Sequence, residues 1–154
     1  MVGKTPRARK NDRDRMDIIA QYCGCLPCLL MGHMDRHASI EHVTERGSRV
    51  GKGAVQHHHT IGLCTWHHYG HGPRSQAREV GPALAHGRIP FEEYFGDEVH
   101  VLIPLQDYLL GLFAADPWPE YTITAQAAML TRTRWIELNH ANAQSPSLPR
   151  NRSG

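Results

Sequence analysis

Two pairs of candidate metal ligands constrain this chain more than any other feature of its sequence. Cys25 and Cys28 form a C-x2-C pair, and Cys64 and His67 form a C-x2-H pair. A spacing of two residues lets both side chains of a turn point at one ion, and zinc prefers thiolate and imidazole ligands. The sequence therefore predicts a structural zinc site that joins two distant segments. Two unrelated pairs of buried residues are the alternative.

The composition is that of a small domain that would benefit from such a cross-link. The chain has 154 residues, of which 40% are hydrophobic but only 7% aromatic, enough for one modest core. No apolar stretch is long enough to span a bilayer, and the N-terminus lacks the apolar segment of a signal peptide. We therefore expect a cytoplasmic protein with no membrane contact and with reduced cysteines. The helical spacing of Cys23 predicts a core residue rather than a ligand.

Histidines are more numerous around these ligands than one zinc ion requires. Nine of the twelve lie between positions 33 and 71, and six occur in "HHHTIGLCTWHHYGH" at 57–71. A closed zinc site does no chemistry, so the surplus indicates a second metal site with open positions. Glu41 and His42 place a carboxylate beside an imidazole. Adjacent strand residues face opposite sides, so a bend or bulge would be needed for both to serve one site.

The order of segments predicts an α+β domain with flexible ends. Residues 1–11 are a basic arm, which suits a phosphate backbone or serves as a solubilising tail. Residues 12–112 form the domain, and residues 113–154 contribute a C-terminal helix and a disordered tail.

Within the domain, a helix is expected up to Cys23, followed by a tight turn at "CLPC". Strands are predicted within 39–45 and 55–62, with a glycine-rich basic loop between them and a helix after them. Two short helices should follow within 80–96, and a longer helix, kinked at Pro104, after them.

The order of the polar residues resembles that of the HNH, or ββα-metal, nucleases. In that pattern a C-x2-C pair precedes an acid–His or His–His pair on the first strand of a hairpin. A histidine or asparagine comes five residues before the cysteine that opens C-x2-C-H, and the final histidine binds the catalytic metal. Here histidine replaces the fourth cysteine, which zinc accepts. The matching positions are Cys25, Cys28, Glu41, His42, His59, Cys64, His67 and His68.

A closer resemblance is to the phage recombination-enhancement (Ref) family of RecA-dependent nucleases. Members have "I-H-H", a loop rich in glycine and arginine, and then "H-x-x-T-I-x-L-C-x-W-H-H". The stretch "IEHVTERGSRVGKGAVQHHHTIGLCTWHH" has that layout, and "GPALAHGRIPFEEYFG" is similar to the region that follows in the family. The likeness covers roughly residues 20–112. Glu41 replaces the family's first histidine, and its next histidine aligns with His57, whereas the HNH pattern selects His59.

The resemblance implies a zinc-stabilised HNH core and a metal-dependent endonuclease that hydrolyses phosphodiester bonds in DNA. It implies that His42 is the general base and that Glu41 and His68 hold Mg²⁺ or another divalent ion. His71, three residues after His68, is a candidate third ligand. The residues that would orient His42 or bind the phosphate are His59 or His57.

The implied partners are DNA and a RecA-type recombinase filament. Arg46, Arg49 and Lys52 lie on the basic loop, where they would bind phosphates, unless the loop is merely solvated. The leading alternative is a zinc module that binds nucleic acid without cutting it. That module would need the zinc ligands and the basic arm, but not Glu41, His42 or His68. A histidine-rich metal-storage protein is a weaker alternative, because the expected repeats are absent.

Overall fold

Helices of up to 20 residues accompany one two-stranded hairpin in the computed structural model, which describes residues 10–34, 36–43 and 59–144. This arrangement confirms the α+β class. Most of the basic arm, the whole basic loop and most of the polar tail lie outside the described residues. In chain order the elements are α1 (Lys10–Ile18), a π-helical turn (Ile19–Cys23), α2 (Leu26–Leu30), β1 (Ser39–His42), β2 (Thr60–Leu63), α3 (Thr65–Tyr69), a 3-10 turn (Arg74–Gln76), α4 (Ala77–Val80), a second 3-10 turn (Leu84–His86), α5 (Arg88–Phe95), a second π-helical turn (Glu98–Leu102), α6 (Ile103–Ala115) and α7 (Ala125–Gln144).

Two glycines allow β2 to pack directly on the segment that leads into α2. Gly24 follows the first π-helical turn with a φ of 69°, and a Cβ there would lie 2.5 Å from Arg36 O. Gly62 in β2 passes so close that its own Cβ would lie 2.4 Å from Gly24 O. Only glycine fits such close backbone contacts without a shift of the chain. This packing places the start of α2 beside the end of the hairpin.

The "CLPC" stretch begins a helix, so the tight turn expected there is wrong in type. Cys25 is the N-cap residue of α2, and Pro27 lies within the first two helical positions, one residue before Cys28. Proline is accepted there because the first N–H groups of a helix have no intrahelical acceptor.

The hairpin pairs without a bulge and runs straight into α3. Its antiparallel register pairs Ser39 with Leu63, Ile40 with Gly62, Glu41 with Ile61 and His42 with Thr60. Because side chains alternate along a strand, Ser39 and Glu41 share one face and Ile40 and His42 share the other. The bulge thought necessary beside Glu41 is therefore absent from β1. Cys64 follows β2 and is the N-cap residue of α3.

The larger hydrophobic core lies between β2 and the C-terminal helices. Fully buried side chains come from α5, from the π-helical turn after it and from α6; they include Phe91, Phe95, Leu102, Leu105 and Leu109. Gln106 of α6 accepts a hydrogen bond from Gly62 N over 3.1 Å, which ties α6 to β2. Within 80–96, where two short helices are expected, the structure has one helix, α5, preceded by the second 3-10 turn. Pro104 lies in the first turn of α6, where the π-helical turn ends.

The C-terminal helix expected after residue 112 is α7. It packs on the same core through Ala127, Ala128 and Thr131. Trp118 precedes it and is buried, with Nε1 donating to Tyr22 O over 2.9 Å. Among the described residues, no helix has both the length and the apolar character needed to cross a membrane.

Candidate metal centres and functional site

The two ligand pairs of the sequence meet in one buried cluster. Cys25 and Cys28 come from the start of α2, and Cys64 and His67 come from the start of α3. One potential ligand atom from each residue lies within 4.8 Å of the other three, and all four residues are buried. The expected convergence of the two pairs is confirmed.

The distances within this cluster fit a tetrahedral zinc ion. The Cys28 and Cys64 sulfurs are 3.7 Å apart, and His67 Nδ1 lies 3.3, 3.5 and 3.2 Å from the sulfurs of Cys25, Cys28 and Cys64. With Zn–S near 2.3 Å and Zn–N near 2.0–2.1 Å, the edges of a tetrahedron are about 3.5–3.8 Å. The donor set of three sulfurs and one nitrogen is also typical of structural zinc.

A hydrogen bond on the far side of the ring orients His67. Its Nε2 lies 2.7 Å from Val80 O at the end of α4. That carbonyl is an acceptor, so Nε2 must have the proton and Nδ1 presents its lone pair to the sulfurs. The adjacent Trp66 donates from Nε1 to Gly81 O over 2.9 Å. Both bonds attach α3 to the end of α4, and so the tautomer of His67 depends on a distant segment.

Without a bound ion, the thiols of Cys25 and Cys64 have pKa values that are shifted in opposite directions. Burial raises the pKa of the Cys25 thiol, while hydrogen bonds from Cys25 and Cys28 lower the pKa of Cys64. Zinc binding would therefore displace thiol protons, and zinc affinity would increase with pH. Cys23 lies outside the cluster, in the larger core, where burial raises its pKa to about 12. Its prediction as a core residue is confirmed.

A second polar cluster lies on the Glu41 face of the hairpin. Glu41 Oε2 and His68 Nε2 are 2.7 Å apart, with both side chains about one-sixth exposed (17% and 16%). His68 Nδ1 lies 2.7 Å from Ser39 Oγ, and Ser39 Oγ lies 3.2 Å from Leu63 O. The Tyr69 ring stacks on the His68 ring, with centroids 4.0 Å apart. A carboxylate and an imidazole nitrogen thus meet at a site that remains open to solvent.

Comparison with protein-family models matches residues 8–109 to the family described as "Recombination enhancement, RecA-dependent nuclease". The chain belongs to this family. The match spans more than half of the chain and includes both polar clusters, so the family resemblance seen in the sequence is confirmed. No curated protein and no solved structure matches the chain. Helix α7 lies beyond the residues that match the RecA-dependent nuclease family.

The remaining candidate residues of this family member are placed less closely together. His42 lies on the opposite face of β1 from Glu41 and pairs with Thr60, whose Oγ1 accepts a hydrogen bond from Arg15 Nε over 2.9 Å. His59 precedes β2, and its carbonyl accepts a hydrogen bond from Val43 N over 2.8 Å. The candidates that lie outside the described residues are His57, Arg46, Arg49 and Lys52.

His71 is exposed and does not join Glu41 and His68 in a ligand cluster. Its ring packs against Tyr69, with centroids 5.6 Å apart. Within 10–34, 36–43 and 59–144, the Cys/His cluster is the one group of three or more candidate ligands that could hold an ion. Glu41 and His68 therefore meet as a pair, and no third candidate ligand joins them from the described residues.

The structure shows contacts or burial for several residues to which the sequence analysis assigned no role. Ser39 had a usable signal, because it lies two positions before Glu41 on a predicted strand and so shares its face. No sequence signal indicated Val80 or Gly81, because their contacts with α3 are made by backbone carbonyls. Glu98 had none either, because nothing in the local sequence indicates that a carboxyl at this position is buried.

Glu98 is a buried carboxyl whose ionisation should affect stability. It is 2% exposed, and its Oε1 lies 3.2 Å from Arg88 Nε. Burial raises its pKa from 4.5 to about 7, partly offset by Arg88 and reinforced by Glu41. The folded state therefore binds more protons than the unfolded state between these values, so this group makes stability fall as pH rises from about 4.5 to about 7.

We expect Glu98→Gln to remove this pH dependence and to stabilise the protein above pH 7. One pKa unit corresponds to about 1.4 kcal/mol, which sets an upper limit of about 3 kcal/mol. Urea unfolding of wild type and variant at several pH values measures the difference between the two curves. Glu93→Gln, at an exposed position of α5, is the matched control and should leave the curve unchanged. If the free energies of unfolding of wild type and Glu98→Gln differed by the same amount at all pH values, the expectation would be contradicted.

Proposed function

We propose that this chain is a metal-dependent DNA endonuclease of the HNH type, acting on DNA held by a RecA-type recombinase filament. The family match supports a nuclease and the dependence on RecA. The observation that most supports an HNH site is the 2.7 Å approach of Glu41 and His68 on one face of the hairpin whose first strand ends in His42. A zinc module that only binds nucleic acid would have no need for this pair.

The donor atoms of Glu41 and His68 suit a catalytic divalent ion. One carboxylate and one imidazole leave most coordination positions free, as Mg²⁺ and Mn²⁺ sites that bind phosphate require. When bound, such an ion would neutralise negative charge that develops on the phosphate and on the leaving oxygen. The imidazole makes Mn²⁺ at least as suitable as Mg²⁺, because Mg²⁺ favours oxygen ligands.

The residues of the chain have separate tasks in this proposal. His42 accepts the proton of the attacking water as general base. Glu41 and His68 hold the ion, and His71 reaches it only if the end of α3 moves. His59 or His57 orients His42 or binds the phosphate. These assignments follow the family pattern, and the contact between Glu41 and His68 supports the roles of those two residues.

The location of His42 on the other face of β1 fits an approach of DNA along the edge of the strand. Among the described residues, the sheet has two strands, so β1 pairs with β2 on one edge and with no strand on the other. The side chains of Glu41 and His42 point to opposite faces of the sheet beside this edge. A phosphate at the edge would have the ion on one side and the base on the other, as in-line attack requires. The basic loop with Arg46, Arg49 and Lys52 joins the two strands and would bind flanking phosphates.

A nicking assay on zinc-loaded protein tests this function. Single- and double-stranded DNA are incubated with and without recombinase, ATP and either Mg²⁺ or Mn²⁺. We expect cutting only when the filament and the second ion are both present. The ion is omitted rather than chelated, because a chelator would also remove zinc. DNA binding without cutting under every condition would refute the proposal and favour the non-catalytic zinc module.

A further inference from the structure

Two consecutive histidines of α3 use opposite ring nitrogens. His67 directs Nδ1 to the three sulfurs, and Val80 O accepts from its Nε2. His68 instead directs Nε2 to Glu41 and places Nδ1 2.7 Å from Ser39 Oγ. A histidine ligand needs an unprotonated nitrogen toward the metal, so the group at its other nitrogen decides whether that form is available. For His68 that group is the Ser39 hydroxyl.

The hydroxyl of Ser39 is suited to both forms of His68. A hydroxyl donates one hydrogen bond and accepts others. It can donate to Nδ1 while Nε2–H donates to Glu41. Alternatively, it can accept from Nδ1–H and turn its own proton to Leu63 O, which lies 3.2 Å away. The second arrangement turns the Nε2 lone pair toward the Glu41 carboxylate, which lies 2.7 Å away in the structure. The lone pair and the carboxylate repel each other unless both bind one cation.

We propose that Ser39 is a positioning residue that holds His68 in the Nδ1–H form, so that Nε2 and Glu41 together bind the catalytic divalent ion. The Leu63 carbonyl completes the arrangement, because it accepts a hydrogen bond from the Ser39 hydroxyl. The hydroxyl proton then points away from Nδ1–H, and the hydroxyl oxygen can accept from it. This inference rests on the proposed function only in placing the second ion at Glu41 and His68. Ser39 touches neither the ion nor the substrate, and it acts through His68.

A matched pair of variants isolates the hydroxyl. Ser39→Thr keeps it and Ser39→Val removes it, and the two side chains have nearly the same shape and are both accepted in strands. Loss of a hydrogen bond behind a metal-binding histidine typically weakens metal affinity by about 10–100-fold. We expect that loss of Mn²⁺ affinity in Ser39→Val, with Ser39→Thr close to wild type. Ser75→Ala, at an exposed serine of the first 3-10 turn, serves as the control and should not differ from wild type.

Mn²⁺ titration of zinc-loaded protein followed by electron paramagnetic resonance measures this affinity without any cleavage reaction. Zinc content and the urea midpoint show that each variant is folded. The nitrogen shifts of His68 in Mg²⁺-loaded wild type should show protonated Nδ1. Equal Mn²⁺ affinity in folded Ser39→Val and Ser39→Thr would overturn the role of Ser39 alone. Failure of wild type to bind any ion beyond zinc would refute the metal site of the proposed function, and the role of Ser39 with it.

Discussion

Replacing Cys28 with serine is expected to leave the hairpin and α3 unfolded. Cys28 is fully buried, and its sulfur lies 3.7 Å from the Cys64 sulfur and 3.5 Å from His67 Nδ1. Zinc binding at such sites contributes about 10–16 kcal/mol in small peptides. This is as large as the whole stability of a typical domain, about 5–15 kcal/mol. The smaller cluster of buried residues around the zinc site has few other sources of stability, since it contains little beyond the ligands, Trp66, Val80 and Ala83.

Zinc content by atomic absorption and thermal unfolding by circular dichroism measure this effect. Wild type should contain one zinc ion per chain, and Cys28→Ser should contain none and unfold with a smaller and less cooperative transition. Cys23→Ala is the matched control, because Cys23 is equally buried but lies outside the ligand cluster. It should keep zinc, and its free energy of unfolding should fall only by the roughly 0.5–3 kcal/mol of an ordinary core substitution. Pure wild type with much less than one zinc per chain would contradict the structural role of the cluster.

Replacing His42 with alanine should abolish most DNA cleavage while sparing the fold. General-base removal costs about 10²–10⁴-fold in rate. His42 lies outside the zinc cluster, at the end of β1, so zinc content, unfolding midpoint and DNA affinity should remain near wild type. Single-turnover cleavage on recombinase-bound DNA measures the rate. His140→Ala, an exposed histidine of α7, should cut at the wild-type rate.

Glu41→Gln and His68→Ala distinguish loss of the ion from loss of the base. Both should lower the rate and raise the Mn²⁺ concentration needed for half-maximal cutting, whereas His42→Ala should lower the rate at an unchanged Mn²⁺ requirement. Loss of zinc from His42→Ala would mean that His42 belongs to the Cys/His cluster that binds zinc. Full activity of this variant would exclude it as the base.

The hairpin and the zinc site show how far the local sequence leads. The C-x2-C and C-x2-H spacings place both ligands of a pair on one turn, and alternation places Ile40 and His42 on one face of β1. Both rules depend only on backbone geometry over a few residues, so they can be applied to the local sequence directly. The same rules misjudged "CLPC", because a proline at a turn and a proline in the first turn of a helix have the same local signature.

The sequence by itself determined which four residues would converge as candidate zinc ligands, and that a hairpin would precede the helix with the last two of them. Only the tertiary structure decided which nitrogen each histidine uses, because Val80 O and Ser39 Oγ are brought to α3 from other segments of the chain. It also decided that β1 pairs without a bulge and that Glu98 is buried beside Arg88. These outcomes depend on hydrogen bonds and burial between residues far apart in sequence, and no spacing rule within one segment contains that information.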